Sequence, residues 1–373
     1  MIQHNAWFFN GDLRKAQKNK MVSDIPQHST TALKKALFRA KHDGRRPVLM
    51  ATVAPMDDHG YLSLSISSVY EMELVRDGAL VLLEVNPNYP RTFGDTMIHI
   101  SEVDALVESD RPIPEVPYGA YGETDAIIGK YIASLVEDGS TIQLGIGNIP
   151  NAVANELKTR KHLGIHSEMF TETMVDLIEC GAVDNSQKGF NDGYSVCSFT
   201  MGSKKLYDFL DNNPSVLFKP ATYTNDPYTI GRNNKFVSIN ATLAIDLTGQ
   251  CASESIGSKQ YSGTGGQSDT AIGAQMSKNG KSIIALYSTA MVKDPVTGER
   301  KEISKIVPQL TPGAAVSLSR NDVDRVVTEY GVAELRGTTL RERVARLIEI
   351  AHPKFREELW EQAVAVGILG KRR

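Results

Sequence analysis

The chain has 373 residues, 41% of them apolar and 23% charged, with 41 basic against 44 acidic side chains and a net charge of −3. That is enough to bury a sizeable core in two domains or one large one, and the balanced charge leaves no basic field to gather nucleic acid or anionic lipid, so a small-molecule partner is expected. No apolar run is long enough to span a bilayer, and the opening MIQHNAWFFNGDLRKAQ lacks the basic-then-apolar order of a secretory signal. Three scattered cysteines (Cys180, Cys197 and Cys251) give neither a disulfide framework nor metal-ligand spacing. A cytoplasmic protein with all three thiols buried and structural is the expectation.

Residues 28–44 open with His-Ser-Thr-Thr, run as a helix through Leu33, Leu37 and Ala40, and stop at Gly44. PVLMATVA (47–54) is an apolar run of strand length, GYLSLSI (60–66) alternates apolar with polar, and a short helix through Val69, Met72 and Val75 ends at Gly78. ALVLLEV (79–85) is a second fully apolar strand. Helices alternating with strands that are apolar on both faces predict a mostly parallel sheet covered on both sides. The stretch SDRPIPEVPYGAYGE (109–123), with Pro112, Pro114 and Pro117, disfavours helix and sheet interiors and marks a joint. Beyond it the alternation restarts: a helix from Thr124 to Gly139, strand 140–147, helix 151–161, strand 163–168 and a helical TETMVDLIEC. The predicted architecture is two α/β domains, 1–115 and 116–373. Near the C-terminus, two helices broken at His352-Pro353 carry a core face of Leu340, Val344, Leu347, Ile348 and Ala351, and the final KRR reads as a solvated tail.

Three places could carry chemistry. Gly145-Ile-Gly147-Asn-Ile-Pro150 lies between an apolar strand and a helix, where glycines let a ligand approach the backbone and a helix N-terminus offers free N–H groups to an anion. Gly164-Ile-His166-Ser-Glu168 ends the next strand, and ligands of open α/β sheets sit outside the carboxyl ends of strands. Glu168 then projects toward the crevice of the Gly145 loop, or merely opens the helix behind it, where acids are favoured. His166 is expected to be a buried, hydrogen-bonded histidine rather than a base. Ser262-Gly-Thr-Gly265-Gly266-Gln267 either presents N–H groups to an oxyanion or forms a sharp corner. The same layout also suits a dinucleotide-binding unit, since Glu168 lies near the ~20-residue spacing of a ribose-binding acid. Against that, Pro150 replaces the third glycine of the fingerprint, and nothing else suggests hydride chemistry.

At these residues the chain resembles the acetyl-CoA hydrolase/transferase family. The blocks LLEVNPNYPRTFGDTMIHISEVD, LVEDGSTIQLGIGNIPNAV, KHLGIHSEM, GQCASESIGSKQYSGTGGQ and DRVVTEYGVAEL carry the resemblance over nearly the whole chain. It implies two CoA-transferase-like (NagB/RpiA-like) α/β domains with the active site between them. It further implies transfer of coenzyme A between short-chain carboxylic acids (acetate, butyrate or 4-hydroxybutyrate) through a glutamyl-CoA thioester, or hydrolysis of acyl-CoA at the same site. By the same resemblance Glu168 is the nucleophile. Gly145, Ile146, Gly147, Asn148 and Ile149 line the coenzyme A site, and Leu243 and Gly266 make backbone contacts to it. Coenzyme A is the cosubstrate, with no metal or nucleotide expected, and the phosphate-binding cations stay unassigned although Lys259 and Lys305 sit in matching blocks. A homodimer is expected as the commonest closed assembly. Members of the family usually begin with a further strand–turn–helix unit before the position matching Met1, which implies that this chain starts inside its first domain.

Overall fold

The computed structural model describes residues 4–116, 119–294 and 297–370; Pro117 of the joint and the terminal Lys371-Arg372-Arg373 lie outside them. In the N-terminal part, helix α1 (Ala32–His42), strand β1 (Val48–Val53), helix α2 (Glu71–Arg76) and strands β2 (Leu80–Val85) and β3 (Ala105–Glu108) build a parallel sheet in the order β1-β2-β3. Leu49, Val53, Val81 and Leu83 turn inward against Leu33, Met72, Leu74 and Val75 of the two helices. The period-2 alternation of a strand sends their neighbours Val48 and Met50 outward, while in the edge strand β3 both Leu106 and Val107 are exposed. These strands are apolar on both faces, but α1 and α2 cover only one of them; the expectation of two covered faces fails here.

It holds in the second sheet. After the joint come α3 (Glu123–Ser134), β4 (Thr141–Leu144), α4 (Asn148–Leu157), β5 (Gly164–Ile165), α5 (Glu172–Glu179), β6 (Val237–Ala241), α6 (Gln267–Met276), β7 (Lys281–Ala285), β8 (Arg325–Thr328) and β9 (Gly331–Glu334). Helices α7 (Leu340–Glu349) and α8 (Pro353–Ala365) close the chain, broken at His352-Pro353 as expected. The six strands lie in the order β5-β4-β6-β7-β8-β9, parallel except for the β8–β9 hairpin. Ile283 and Val327 face a core with Ile128, Ile132 and Val153, whereas the adjacent Ile284 and Val326 face one with Val344, Leu347 and Ile348. Consecutive residues buried in opposite cores are what a near-continuous apolar strand requires.

Several boundaries shift. The strand expected at 60–66 stops at Ser63, and α4 starts at Asn148, with Pro150 inside its first turn where a missing N–H costs nothing. The strand expected at 163–168 ends at Ile165, because Ser167 then gives its N–H to Val196 and leaves the sheet. Leu340, expected in the core, is exposed at the start of α7. Cys180 is exposed as well, capping the outer end of α5, while Cys197 and Cys251 are buried.

The two parts are stitched together. Phe93–Gly94, from the N-terminal part, pairs with Val216–Phe218, which in turn pairs with Ser195–Cys197. No helix among the described residues is long and apolar enough to cross a membrane.

Candidate active site

In a parallel sheet every strand presents its carboxyl end to the same edge. Because β5, β4 and β6 are parallel neighbours, the Gly145 loop after Leu144, the segment His166–Glu168 after Ile165 and Leu243 after Ala241 share one edge of the sheet. The GTGG loop is drawn to that edge, where Gln267 Nε2 donates to the carbonyl of Ala241 at 2.9 Å. The sequence-predicted site residues therefore converge, although they span positions 145 to 266.

Glu168 is fixed from its backbone outward. Its carbonyl accepts the N–H groups of Ser198 (2.9 Å) and Phe199 (3.2 Å), so its Cα cannot drift. Its carboxylate accepts the Ser29 hydroxyl at Oε1 (2.7 Å) and the Asn225 amide at Oε2 (3.1 Å), and the N–H of Gly266 supports it too. Burial pushes the carboxyl above its usual range, and these three donors work in the opposite direction by favouring the anion. The result is a desolvated carboxylate held in one orientation.

Gly266 has an ordinary negative φ of −97°, so conformation does not demand glycine there. Space does: a Cβ would lie 2.0 Å from Asn225 Nδ2 and 2.3 Å from Glu168 Oε2. Gly147 has the complementary reason, a φ of +120° that side chains rarely adopt. It caps α4 with no side chain on the helix start, and Gly145 to Asn148 are open to solvent apart from partial cover on Gly145. The N–H groups of Asn148 and Ile149 are the donors this helix end can offer an anion, since Pro150 has none. The Ile149 side chain itself points into the core. Leu243 is half-buried, and its N–H already goes to the carbonyl of Ala252 at 3.1 Å.

Two partners of Glu168 escaped the sequence reading. Ser29 sits in the 3₁₀ turn Ser29–Thr31, which looked like the start of a helix. Asn225 caps the short helix Ala221–Thr224, and nothing in its neighbourhood marks it. Its orientation is set: Thr224 Oγ1 donates to Asn225 Oδ1 at 3.3 Å, which turns Nδ2 toward Glu168. Behind it, His166 donates from Nε2 to the carbonyl of Thr224 at 2.9 Å. His166 is buried and hydrogen-bonded as expected; burial, with Lys188 nearby, lowers its pKa to about 3, so the ring is neutral and serves as a prop. Of the lysines left open, Lys259 is exposed, and Lys305 is half-buried over the Tyr287 ring, 5.5 Å from its centroid.

Residues 1–117 match the acetyl-CoA hydrolase/transferase N-terminal domain, and residues 202–363 match the C-terminal domain of the same family. The chain is 45% identical to the succinyl-CoA:cyclohexane-1-carboxylate CoA transferase of Geobacter metallireducens, over 97% of this chain and 80% of that protein. It is 46% identical to the 4-hydroxybutyrate coenzyme A transferase of Clostridium kluyveri, over 97% of this chain and 82% of that protein. The crystal structure of RipA from Yersinia pestis superposes with a TM-score of 0.89 at 38% identity, covering 99% of this chain and 82% of RipA. The chain belongs to the acetyl-CoA hydrolase/transferase family.

Proposed function

We propose that this protein moves coenzyme A between short-chain carboxylic acids, with Glu168 as the covalent nucleophile and the division between its two parts near residues 115 and 116. The observation that carries the reading is the Glu168 carboxylate itself: desolvated, and clasped by Ser29, Asn225 and Gly266 at the carboxyl edge of a parallel sheet. In water a carboxylate attacks thioesters poorly because hydration stabilises its charge; a site that excludes water and holds the reactants at contact distance removes that obstacle.

Glu168 Oε attacks the acyl-CoA carbonyl and the carbon–sulfur bond breaks, leaving an acyl–glutamyl anhydride and CoA thiolate. The thiolate attacks the glutamyl carbonyl carbon and expels the first acid, leaving a glutamyl–CoA thioester. A second acid runs the steps in reverse. One thioester replaces another of similar energy, so ping-pong kinetics follow without an outside energy source. Asn225 Nδ2, which donates to Oε2, and the Gly266 N–H beside the same carboxylate are placed to receive the oxyanions that develop around this carbon. The Gly145–Ile149 loop, with the free start of α4 behind it, is the coenzyme A contact in this reading; Leu243 and the Gly266 loop provide the backbone walls. Coenzyme A is the cosubstrate, the cellular setting is cytoplasmic, and the assembly is a homodimer. Hydrolysis would use the same intermediate with water as the second acceptor, and added acetate separates the two by yielding acetyl-CoA.

The test is intact mass spectrometry after brief incubation with butyryl-CoA and no acceptor acid, followed by peptide mapping. A CoA-sized adduct is expected on the peptide holding Glu168 and should be missing from Glu168→Ala. Full transfer by that variant would sink the assignment. Glu168→Asp should also fail, since one lost methylene withdraws the nucleophile by about 1 Å, enough to break a near-attack geometry.

A further inference from the structure

The chemistry above leaves Asp269 unused. It stands in the first turn of α6, only 5% exposed, three positions after the glycine whose N–H reaches Glu168. Its Oδ2 accepts the backbone N–H of Thr30 at 3.2 Å. The adjacent Ser29 gives its N–H to the carbonyl of Gly265 (3.1 Å) and its hydroxyl to Glu168 (2.7 Å). The turn Ser29–Thr31 is thus pinned at the nucleophile, at the loop before α6 and at Asp269. Surface acids in first helical turns favour a helix dipole and do nothing more. This one is buried, and the turn that it holds also holds Glu168.

We propose that Asp269 is a positioning residue for the Glu168 chemistry: it clamps the Ser29–Thr30 turn onto the nucleophile and takes up the negative charge that Glu168 surrenders on acylation. The proposal rests on Glu168 being the nucleophile. The Ser29–Thr30 turn links the two carboxyls, the charge on Glu168 disfavours a second charge on Asp269, and the donors decide which group carries it. Glu168 has three donors, whereas Asp269 has the Thr30 N–H. The three donors favour the anion on Glu168, the form that attack requires. Asp269 is raised to about 7 by burial, then by the charges of Glu168 and of Asp226, against the opposing pull of Thr30. Asp226 faces it from the neighbouring short helix Pro227–Gly231, where it caps Thr229.

Acylation changes the balance. As Glu168 Oε bonds to the acyl carbon and the electron pair of the carbon–sulfur bond leaves with CoA thiolate, Glu168 becomes neutral. Asp269 then loses its proton to solvent and the Thr30 N–H gains a charged acceptor, roughly twice as strong a bond as a neutral one. The turn tightens over the intermediate while it exists, and release of the second product returns the proton to the pair. Nothing is oxidised or reduced.

The experiment mixes enzyme with butyryl-CoA, without acceptor acid, in weakly buffered solution with a pH indicator, and reads protons released per CoA adduct counted by mass. Wild type should release about half a proton per adduct near pH 7, with the release vanishing about two pH units higher. Asp269→Asn keeps an acceptor for Thr30 and should form the adduct within about tenfold of the wild-type rate while releasing almost no proton. Asp269→Ala orphans the N–H, misplaces Ser29, and should slow adduct formation about 10- to 100-fold. Equal release by wild type and Asp269→Asn would overturn the proposal, as would wild-type release that does not change with pH, a readout that needs no variant to fold. No adduct in wild type would instead remove the nucleophile reading and this proposal with it.

Discussion

A single missing methyl group decides whether the nucleophile can be held. Gly266→Ala would place a carbon 2.0 Å from Asn225 Nδ2 and 2.3 Å from Glu168 Oε2, where no heavy atom fits. The backbone φ tolerates alanine, although at the N-cap of α6 alanine is a poorer residue than glycine, and Asn225 and Glu168 must shift to admit its Cβ. The expected outcome is a folded protein of somewhat lower thermal stability with a loss of at least ~100-fold in kcat, the scale of one lost oxyanion donor. A variant that kept wild-type kcat would show that the close approach of Gly266 to Glu168 has no functional weight. Glycine density and a strand-end position marked the Gly266 loop and Glu168 as candidates, and only the family resemblance assigned them roles. Ser29 and Asn225 were not visible. They reach Glu168 from 139 and 57 positions away, through a 3₁₀ turn and a four-residue helix that leave no periodic trace.

Between residues and the whole stands the short strand β5, and Lys188 explains how two residues of pairing suffice. Lys188 is completely buried, with Nζ donating to the carbonyls of Ile165 (2.9 Å) and Tyr194 (2.6 Å). Its stem lies against Gly164, where a Cβ would come within 2.2 Å of Lys188 Cγ. The lysine thus ties the end of β5 to the loop before Ser195–Cys197, the strand from which the chain then hangs Ser167 and Glu168. Burial lowers the ammonium to about 7, so it holds the carbonyls close to its own neutral point. Lys188→Met keeps the stem and strands two buried acceptors at about 1–3 kcal/mol each, offset in part by relief of a desolvated cation. A net loss of about 2 kcal/mol at pH 7, read as a lower urea midpoint, is expected; an unchanged midpoint would mean that the tie carries no load. This also explains where the reading of elements failed. The strands β1 and β2 show in their apolar runs, whereas β5 stops early because Ser167 gives its N–H to Val196, a partner some thirty positions downstream.

At the scale of the molecule the buried titrating groups pull in opposite directions. His166 has its folded pKa lowered to about 3 from 6.5, so between those values the unfolded chain binds more protons and stability falls on acidification. Asp269 is raised to about 7 from 3.8, so between those values the folded protein binds more protons, and stability is present at low pH and lost as pH rises through 7. Across roughly pH 4 to 6.5 the two oppose each other, and the protein's own profile hides both. Asp269→Asn removes one side. The difference in unfolding free energy, variant minus wild type, should grow by a few kcal/mol between pH 4 and 7 and stay constant above it. Urea titrations of both proteins at pH 4, 5, 6, 7 and 8 measure this directly, and the shared sheet of Phe93–Gly94 with Val216–Phe218 favours one cooperative transition for both parts. A constant difference would mean that Asp269 is ionised in the folded protein throughout. Asp269 would then be a fixed charge behind the Ser29–Thr30 turn, and every turnover would have to begin by bringing acyl-CoA up to two anions. A growing difference means that folding itself stores the proton that lets Glu168 stand there as the single negative charge of the pair.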